Sequence, residues 1–319
     1  MTTAGVAAPK VRTNKAAMLD SEGNSRFVRA VGVLILSLIF FDLMAVQVRV
    51  LLASHSAPEL SAYRNIFGLL PSLALLVYRR EIRIGRLGLR QWRLALLRGG
   101  IVAVAQLCLY TSLGYLELAT VAALEQVNGV FVVLLSIVLL RERVGPWRWA
   151  AVALGLLGAV LIIRPGADSF SPFALLPVAA ALGYATSMVL MRLFDDAASN
   201  AVIYLWGASA SALASTVLAV STSGFSPVES WAEAALILSM ALCGGTAVLL
   251  MMTAYRMTAP ASLAPFGYFA ILTSFGFGWL FFGEAPVDRL FPGALLIVLA
   301  GAIVIWRQTR RPKPADGPR

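Results

Sequence analysis

The chain has 319 residues, of which 59% are hydrophobic and 13% charged, with a mean hydropathy of +0.82, where a soluble domain carries about 25% charged residues. That balance excludes a soluble globular protein and points to an all-α integral membrane protein, because transmembrane strands would leave short alternating segments rather than long apolar runs. The net charge of +10 does not mark a nucleic-acid partner, since the basic residues fall in tails and in connections between apolar runs.

Residues 1–29 are polar, basic and Ala-rich without apolar periodicity, and read as a disordered cytoplasmic tail. The apolar run that follows exceeds the core of a signal peptide and lacks a small-residue cleavage pattern, so it reads as a span and not a leader. With about 20 apolar residues needed per crossing, ten spans are predicted, at roughly 30–53, 59–78, 95–116, 119–140, 147–164, 172–191, 200–221, 233–255, 261–282 and 289–306, with a second tail at 308–319. Lys10, Arg12, Lys15, Arg26 and Arg29, the stretch RREIRIGRLGLRQWR at 79–93, RERVGPWR at 141–148, Arg192, Arg256 and the tail from Arg307 all fall on one side of such a chain. Only Arg164 and Arg289 fall on the other. The excess of Lys and Arg places both termini in the cytoplasm, and attraction to anionic lipid is a further use for it.

The residue inventory removes other function classes. The three lysines, Lys10, Lys15 and Lys313, sit in the tails, and no GxxxxGK[ST] occurs, so the chain has no phosphate-cradling loop and is not itself an ATP-driven pump. The single histidine, His55, falls in a short outer loop, and no His, Cys or carboxylate group has metal-ligand spacing. No cofactor or metal is expected. The acidic doublet Asp195-Asp196 reads as a solvated helix end, and no selectivity-filter motif is present. Cys108 and Cys243 lie within apolar spans and read as small buried hydrophobes.

Internal similarity is the most informative feature. LLRERVGPWRWAAVALGLLGAVLIIR at 139–164 matches FFGEAPVDRLFPGALLIVLAGAIVIWR at 281–307, pairing Glu142 with Glu284 at an offset of 142, and YLELATVAAL from Tyr115 resembles YRMTAPASLA from Tyr255. The chain therefore reads as two five-helix halves, 30–164 and 172–307. Because five is odd, the second half enters the membrane inverted, an arrangement that places a substrate site near the midplane between the halves. Glu142 and Glu284 then sit in equivalent tight turns at opposite surfaces, and read as structural, capping or pairing near Arg143 or Arg289.

The same motifs, with AYRMTAPASLAPFGYFAILTSFGFGWLFFGEAPVD from Ala254 onward, resemble the EamA-type branch of the drug/metabolite transporter superfamily over about residues 30–307. AYR at 62–64 and the APF-x-Y block ending at Tyr268 look most like the branch of S-adenosylmethionine and riboflavin-type carriers. The resemblance implies ten spans, two EamA repeats, the bacterial inner membrane and carriage of a small metabolite. The chain departs from the family at Asn128, where a proline is usual, and at Gly267, where an amide is common.

Polar residues inside the spans are the candidate site. About fifteen Val, Ile, Leu and Phe residues of the first span, at roughly −0.3 to −0.6 kcal/mol each, offset about +2.5 to +3.5 kcal/mol for a central Asp42. Tolerance does not explain it, since intramembrane ionisable groups usually face a cavity or a partner. Arg49 lies about 20° around the helix from Asp42 and about 10 Å along it, while Gln47 points elsewhere, toward helix packing. Arg64, Gln106, Glu125, Gln126 and Asn128 are the other intramembrane polar residues. Glu125 and Asn128 share a helix face, and Gly129 beside them gives backbone access. Two arrangements remain open at this stage: Arg49 and Arg64 pair with Asp42 or Glu125 as structural ion pairs, or these residues line a cavity. Tyr110, Tyr184, Trp206, Phe266 and Tyr268 supply rings on which a planar or cationic ligand could stack, Tyr184 standing opposite Asp42 in the repeat. Pro71, Pro177 and Pro265 would kink helices, and Gly244 and Gly245 would let backbones approach.

The expectation is a secondary, ATP-independent carrier that moves a small polar metabolite by alternating access, with Asp42, Arg64, Gln106, Tyr110, Glu125, Asn128, Tyr184 and Tyr268 as its substrate-binding set. Its partners are the metabolite, the bilayer and a coupling proton. The rivals are a membrane-embedded enzyme, which would need a metal or nucleophile cluster, and a non-transporting scaffold, which would not need charges deep in several spans.

Overall fold

The computed structural model describes residues 10–71, 73–74, 90–141, 146–163, 171–194, 200–257, 263 and 266–309. Every regular element among them is a helix: α1 (Lys10–Leu51), α2 (Ala57–Phe67), α3 (Trp92–Leu113), α4 (Leu118–Glu125), α5 (Asn128–Leu140), α6 (Pro146–Ile163), α7 (Leu175–Leu190), α8 (Asn200–Thr222), α9 (Trp231–Met257), α10 (Phe269–Phe282), α11 (Val287–Leu290) and α12 (Gly293–Thr309). Glu142, Arg143, Asp195, Asp196, Pro265 and the tail beyond Thr309 lie outside the described residues.

Among the described residues, six helical stretches are long and apolar enough to cross a membrane: Arg26–Leu51, Trp92–Leu113, Leu118–Leu139, Pro172–Leu190, Leu205–Thr222 and Trp231–Tyr255. Trp149–Ile163 and Phe269–Phe282 are shorter apolar helices. Large apolar side chains such as Val104, Leu213, Leu272 and Leu280 stand exposed around the bundle. Such a surface is a liability in water and the required one in lipid, where helices also satisfy every backbone group internally. The chain is an all-helical, multi-pass membrane protein. Helix α1 begins at Lys10, although its apolar window starts only at Arg26. Ala, Lys, Met and Leu in the intervening segment are good helix formers, and extending an existing helix avoids the cost of nucleation.

Helix α1 packs along α9 and against α10; α3 packs along α7 and α8; α2 lies between α8 and α9; α5 packs on α7, α4 on α10, and α6 on α12. Close approach at small residues makes these crossings possible. A Cβ on Gly158 would sit 2.6 Å from the Gly293 carbonyl oxygen and 2.7 Å from Ile297, so α6 and α12 meet backbone to backbone. Gly245 of α9 approaches the Gly68 carbonyl in the same way, and Gly99 of α3 meets Ala210 and the Gly207 carbonyl of α8. Contact of this kind, not hydrophobic exclusion, holds helices together in lipid. The central core contains Leu60, Tyr110, Leu118, Leu124, Met240 and Ile297, all nearly or fully buried.

The α6–α12 crossing gives a direct test. Gly158→Ala should lower stability by about 1–3 kcal/mol through overpacking, whereas Gly100→Ala, with open space around its Cβ, should cost nothing. Thermal unfolding in detergent reads both, and equal melting temperatures would show that the crossing is not tight.

Candidate functional site

Asp42 stands inside the apolar window of α1 and is 7% exposed. Its Oδ1 accepts a hydrogen bond from the Ser274 hydroxyl of α10, and its Oδ2 is buried with no hydrogen-bond partner among the described residues. Two residues along, Met44 Sδ accepts the Tyr110 hydroxyl at 3.5 Å, and the same Tyr110 oxygen accepts from Gln106 Nε2 at 3.1 Å. Tyr110 and Gln106 lie one helical turn apart on α3, which is why both reach the same place.

Arg64 enters from α2. It donates to Asn65 Oδ1 at 3.0 Å, Asn65 donates to Ser215 Oγ of α8 at 3.2 Å, and the Arg64 Nε is buried without a partner among the described residues. Gly244 leaves room for it: a Cβ there would lie 2.6 Å from Met44 Sδ and 3.0 Å from Arg64 Nε. Glu125 ends α4 within electrostatic reach of Asp42. Tyr184 of α7 is within reach of Glu125, Arg64, Tyr110 and Cys108. Residues from α1, α2, α3, α4, α7 and α10 thus converge on one polar cluster inside the bundle.

The fourth apolar segment, expected as a span at 119–140, is one span-length stretch over Leu118–Leu139 that carries a local turn at Gln126–Val127. The Gln126 and Val127 N–H groups bond three residues back, to Ala123 at 3.3 Å and Leu124 at 3.2 Å, and Gly129 bonds to Gln126 at 3.3 Å. This tightened turn leaves Glu125 at the end of α4 and Asn128 at the start of α5. Asn and Gly are among the weaker helix formers, so the segment yields there. A second turn falls at Tyr268, immediately before α10.

The structure brings together Asp42, Arg64, Gln106, Tyr110, Glu125 and Tyr184. Asn128 lies beyond the helix break from Glu125, with a buried and unpartnered Oδ1. Tyr268 is half-buried at the turn before α10 and packs against the central core. Trp206 packs instead with Ala95, Phe194 and Ile203, and Phe266 with Leu34, Leu263 and the edge of Phe27. Gln47 serves helix packing, donating to Ser239 of α9 at 3.2 Å.

The expected ion pairs take different partners. Arg49 binds Glu284 at 2.5 Å and lies over the Phe282 ring at 4.5 Å, while Glu284 Oε2 accepts the Leu118 N–H at 3.3 Å. Two helical turns separate Arg49 from Asp42, which carries it to the end of α10. Glu284, expected near Arg143 or Arg289, thus takes Arg49 as its partner among the described residues. Ser274 and Met44 were not legible as site residues: a serine or methionine in an apolar run becomes informative only when the carboxylate or phenol opposite it is known.

Three buried atoms without a partner among the described residues bear on what the cluster can hold: the acceptors Asp42 Oδ2 and Gln106 Oε1, and the donor Arg64 Nε. Leaving each unsatisfied costs about 1–3 kcal/mol. Their complement is a small molecule with several N–H or O–H donors and at least one acceptor, and the Tyr110 and Tyr184 rings beside them suit a planar body.

Ser274→Ala removes the hydrogen bond to Asp42 and should lower stability by about 1–3 kcal/mol. Asp42→Asn, whose amide oxygen can accept the same bond, should lose less in a thermal melt; the opposite ranking would show that the Asp42–Ser274 bond does not hold α1 to α10.

The profile of the EamA-like transporter family matches residues 28–164. The chain is 34% identical over 194 residues to a riboflavin transporter of Rhizobium johnstonii, an alignment covering 60% of this chain and 64% of that protein. It is 28% identical over 254 residues to a riboflavin transporter of Brucella anthropi, covering 77% and 86% of the two chains. A solved crystal structure matches 90% of this chain and 99% of its own at a TM-score of 0.63 and 18% sequence identity, a likeness of fold alone.

Proposed function

We propose that this chain, a multi-pass bacterial inner-membrane protein carrying an EamA-like transporter domain over residues 28–164, is a secondary carrier for a small planar polar metabolite of the riboflavin kind. The observation that carries the reading is the convergence of Asp42, Arg64, Gln106, Tyr110, Glu125 and Tyr184 from both halves of the chain. Relatives named as transporters, not enzymes, support it.

In this reading the chain forms ten spans in two inverted halves, with both termini in the cytoplasm. Exchanging α1 with α7, α2 with α8, α3 with α9, the α4–α5 pair with α10, and α6 with α12 leaves the main packed pairs of the bundle unchanged, which supports the repeat. The helix breaks at Gln126–Val127 and at Tyr268 fall at the repeat offset of 142 residues. Discontinuous helices beside a midplane site are a recurring device of carriers that rock one half against the other. Two intramembrane acids, Asp42 and Glu125, lie within electrostatic reach of one another, a pairing suited to taking up a coupling proton.

The test is thermal unfolding in detergent with riboflavin, S-adenosylmethionine, amino acids and nucleosides. A ligand at a hundred times its dissociation constant should add about 2.7 kcal/mol, and Tyr184→Ala and Arg64→Gln should abolish the gain. Cooperative melting with no shift from any compound would remove this substrate class. In vesicles, uptake by the parent protein should respond to an imposed pH gradient and uptake by Glu125→Gln should not; a retained response would remove the coupling role.

A further inference from the structure

One end of the bundle carries two polar clasps that the substrate cluster does not use. In the first, His55, from the turn between α1 and α2, places Nδ1 2.9 Å from Glu59 Oε1 and Nε2 3.0 Å from Glu233 Oε1 of α9. His55 is 4% exposed and Glu59 fully buried. Glu59 also accepts the N–H and hydroxyl of Ser226 at 2.9 and 3.1 Å, from the connection between α8 and α9. It completes a capping box with Ser56 at the start of α2 as well. Ser54 donates to Glu233 at 2.9 Å, and the Ser56 and Ser223 hydroxyls are 2.6 Å apart. The second clasp is Arg49 with Glu284 and the Leu118 N–H, joining the ends of α1, α4 and α10.

A carboxylate removed from solvent this completely is unusual outside a paired network, and burying one takes several specific partners. Here Glu59 draws Ser226 from 167 residues away, and His55 reaches from Glu59 to Glu233 across 178. Both clasps tie the tips of α1, α2 and α4 to the tips of α8, α9 and α10. The Arg49–Glu284, His55–Glu59 and His55–Glu233 pairs all lie at this end.

We propose that the His55–Glu59–Glu233 and Arg49–Glu284 clasps are the gate that closes this end of the bundle over the central cluster, and that they must part for the site to open on that side. The inference rests on the carrier reading, but its first readout needs no substrate. Cys108, half-buried and within electrostatic reach of Tyr184, is a native reporter of access to the cluster once Cys243 is replaced by Ser. Ser56→Cys with Ser223→Cys places two thiols where two hydroxyls already touch, so oxidation locks the clasp without removing the His55–Glu59–Glu233 contacts.

In membrane vesicles of both orientations, a membrane-impermeant maleimide should label Cys108 from the clasp side at least tenfold more slowly after oxidation, with the rate restored by reductant. Glu233→Gln combined with Arg49→Gln should label severalfold faster from that side while still melting cooperatively. Equal labelling in the locked and reduced proteins would overturn the gate. If locking blocks labelling while no compound is transported by the reduced protein, the gate stands and the substrate assignment fails. If riboflavin uptake continues at the reduced rate in the locked protein, the gate fails and the carrier stands.

Discussion

The structure depends on the cost of a polar group in hydrocarbon. A carboxylate, guanidinium or amide placed in a spanning segment must face inward and find a partner, because lipid offers none. Asp42 meets Ser274, Arg64 meets Asn65, and Gln106 meets Tyr110, which meets Met44. Where such contacts cross from one helix to another, as from Asp42 to Ser274, Tyr110 to Met44 and Asn65 to Ser215, they turn a helix face toward the middle of the bundle. The rotation of α1, α2 and α3 is therefore set by a few polar residues, while the apolar residues around them tolerate lipid on one side and packing on the other.

Small residues supply the second constraint. Crossings at Gly158 with Gly293, Gly245 with Gly68, and Gly99 with Ala210 bring backbones together where no side chain could stand. They fix the helix spacing within which the polar cluster forms. Gly244 shows the two constraints meeting: its missing side chain is what lets Arg64 and Met44 lie beside one another.

The cluster and the clasps divide the polar residues by role. Near the middle, several buried atoms stay unpartnered among the described residues and two acids lie within electrostatic reach of one another. At one end, Glu59, Glu233 and Glu284 collect their hydrogen bonds from distant segments. Partial satisfaction suits a site that exchanges a ligand, whereas carboxylates bonded by several distant segments suit a contact that holds until it is pulled apart as a unit.

Composition alone determined that the chain is helical and membrane-embedded, because no soluble core is this apolar and no barrel has runs this long. The repeat pointed to two related halves, and the intramembrane polar residues picked out Asp42, Arg64, Gln106, Tyr110, Glu125 and Tyr184, since a charge or amide in a span is expensive enough to be conspicuous. Only the tertiary structure decided which of them meet. Arg49 serves Glu284 and not Asp42, and Ser274 became visible only as the group opposite a carboxylate. Trp206 and Phe266 pack away from the cluster because their helices present them to other neighbours. His55 reads from sequence as a lone loop residue, and its two acidic partners lie 4 and 178 positions away. Hydropathy records the cost of each residue, whereas pairing depends on helix rotation and on contacts between distant segments, which no local pattern encodes.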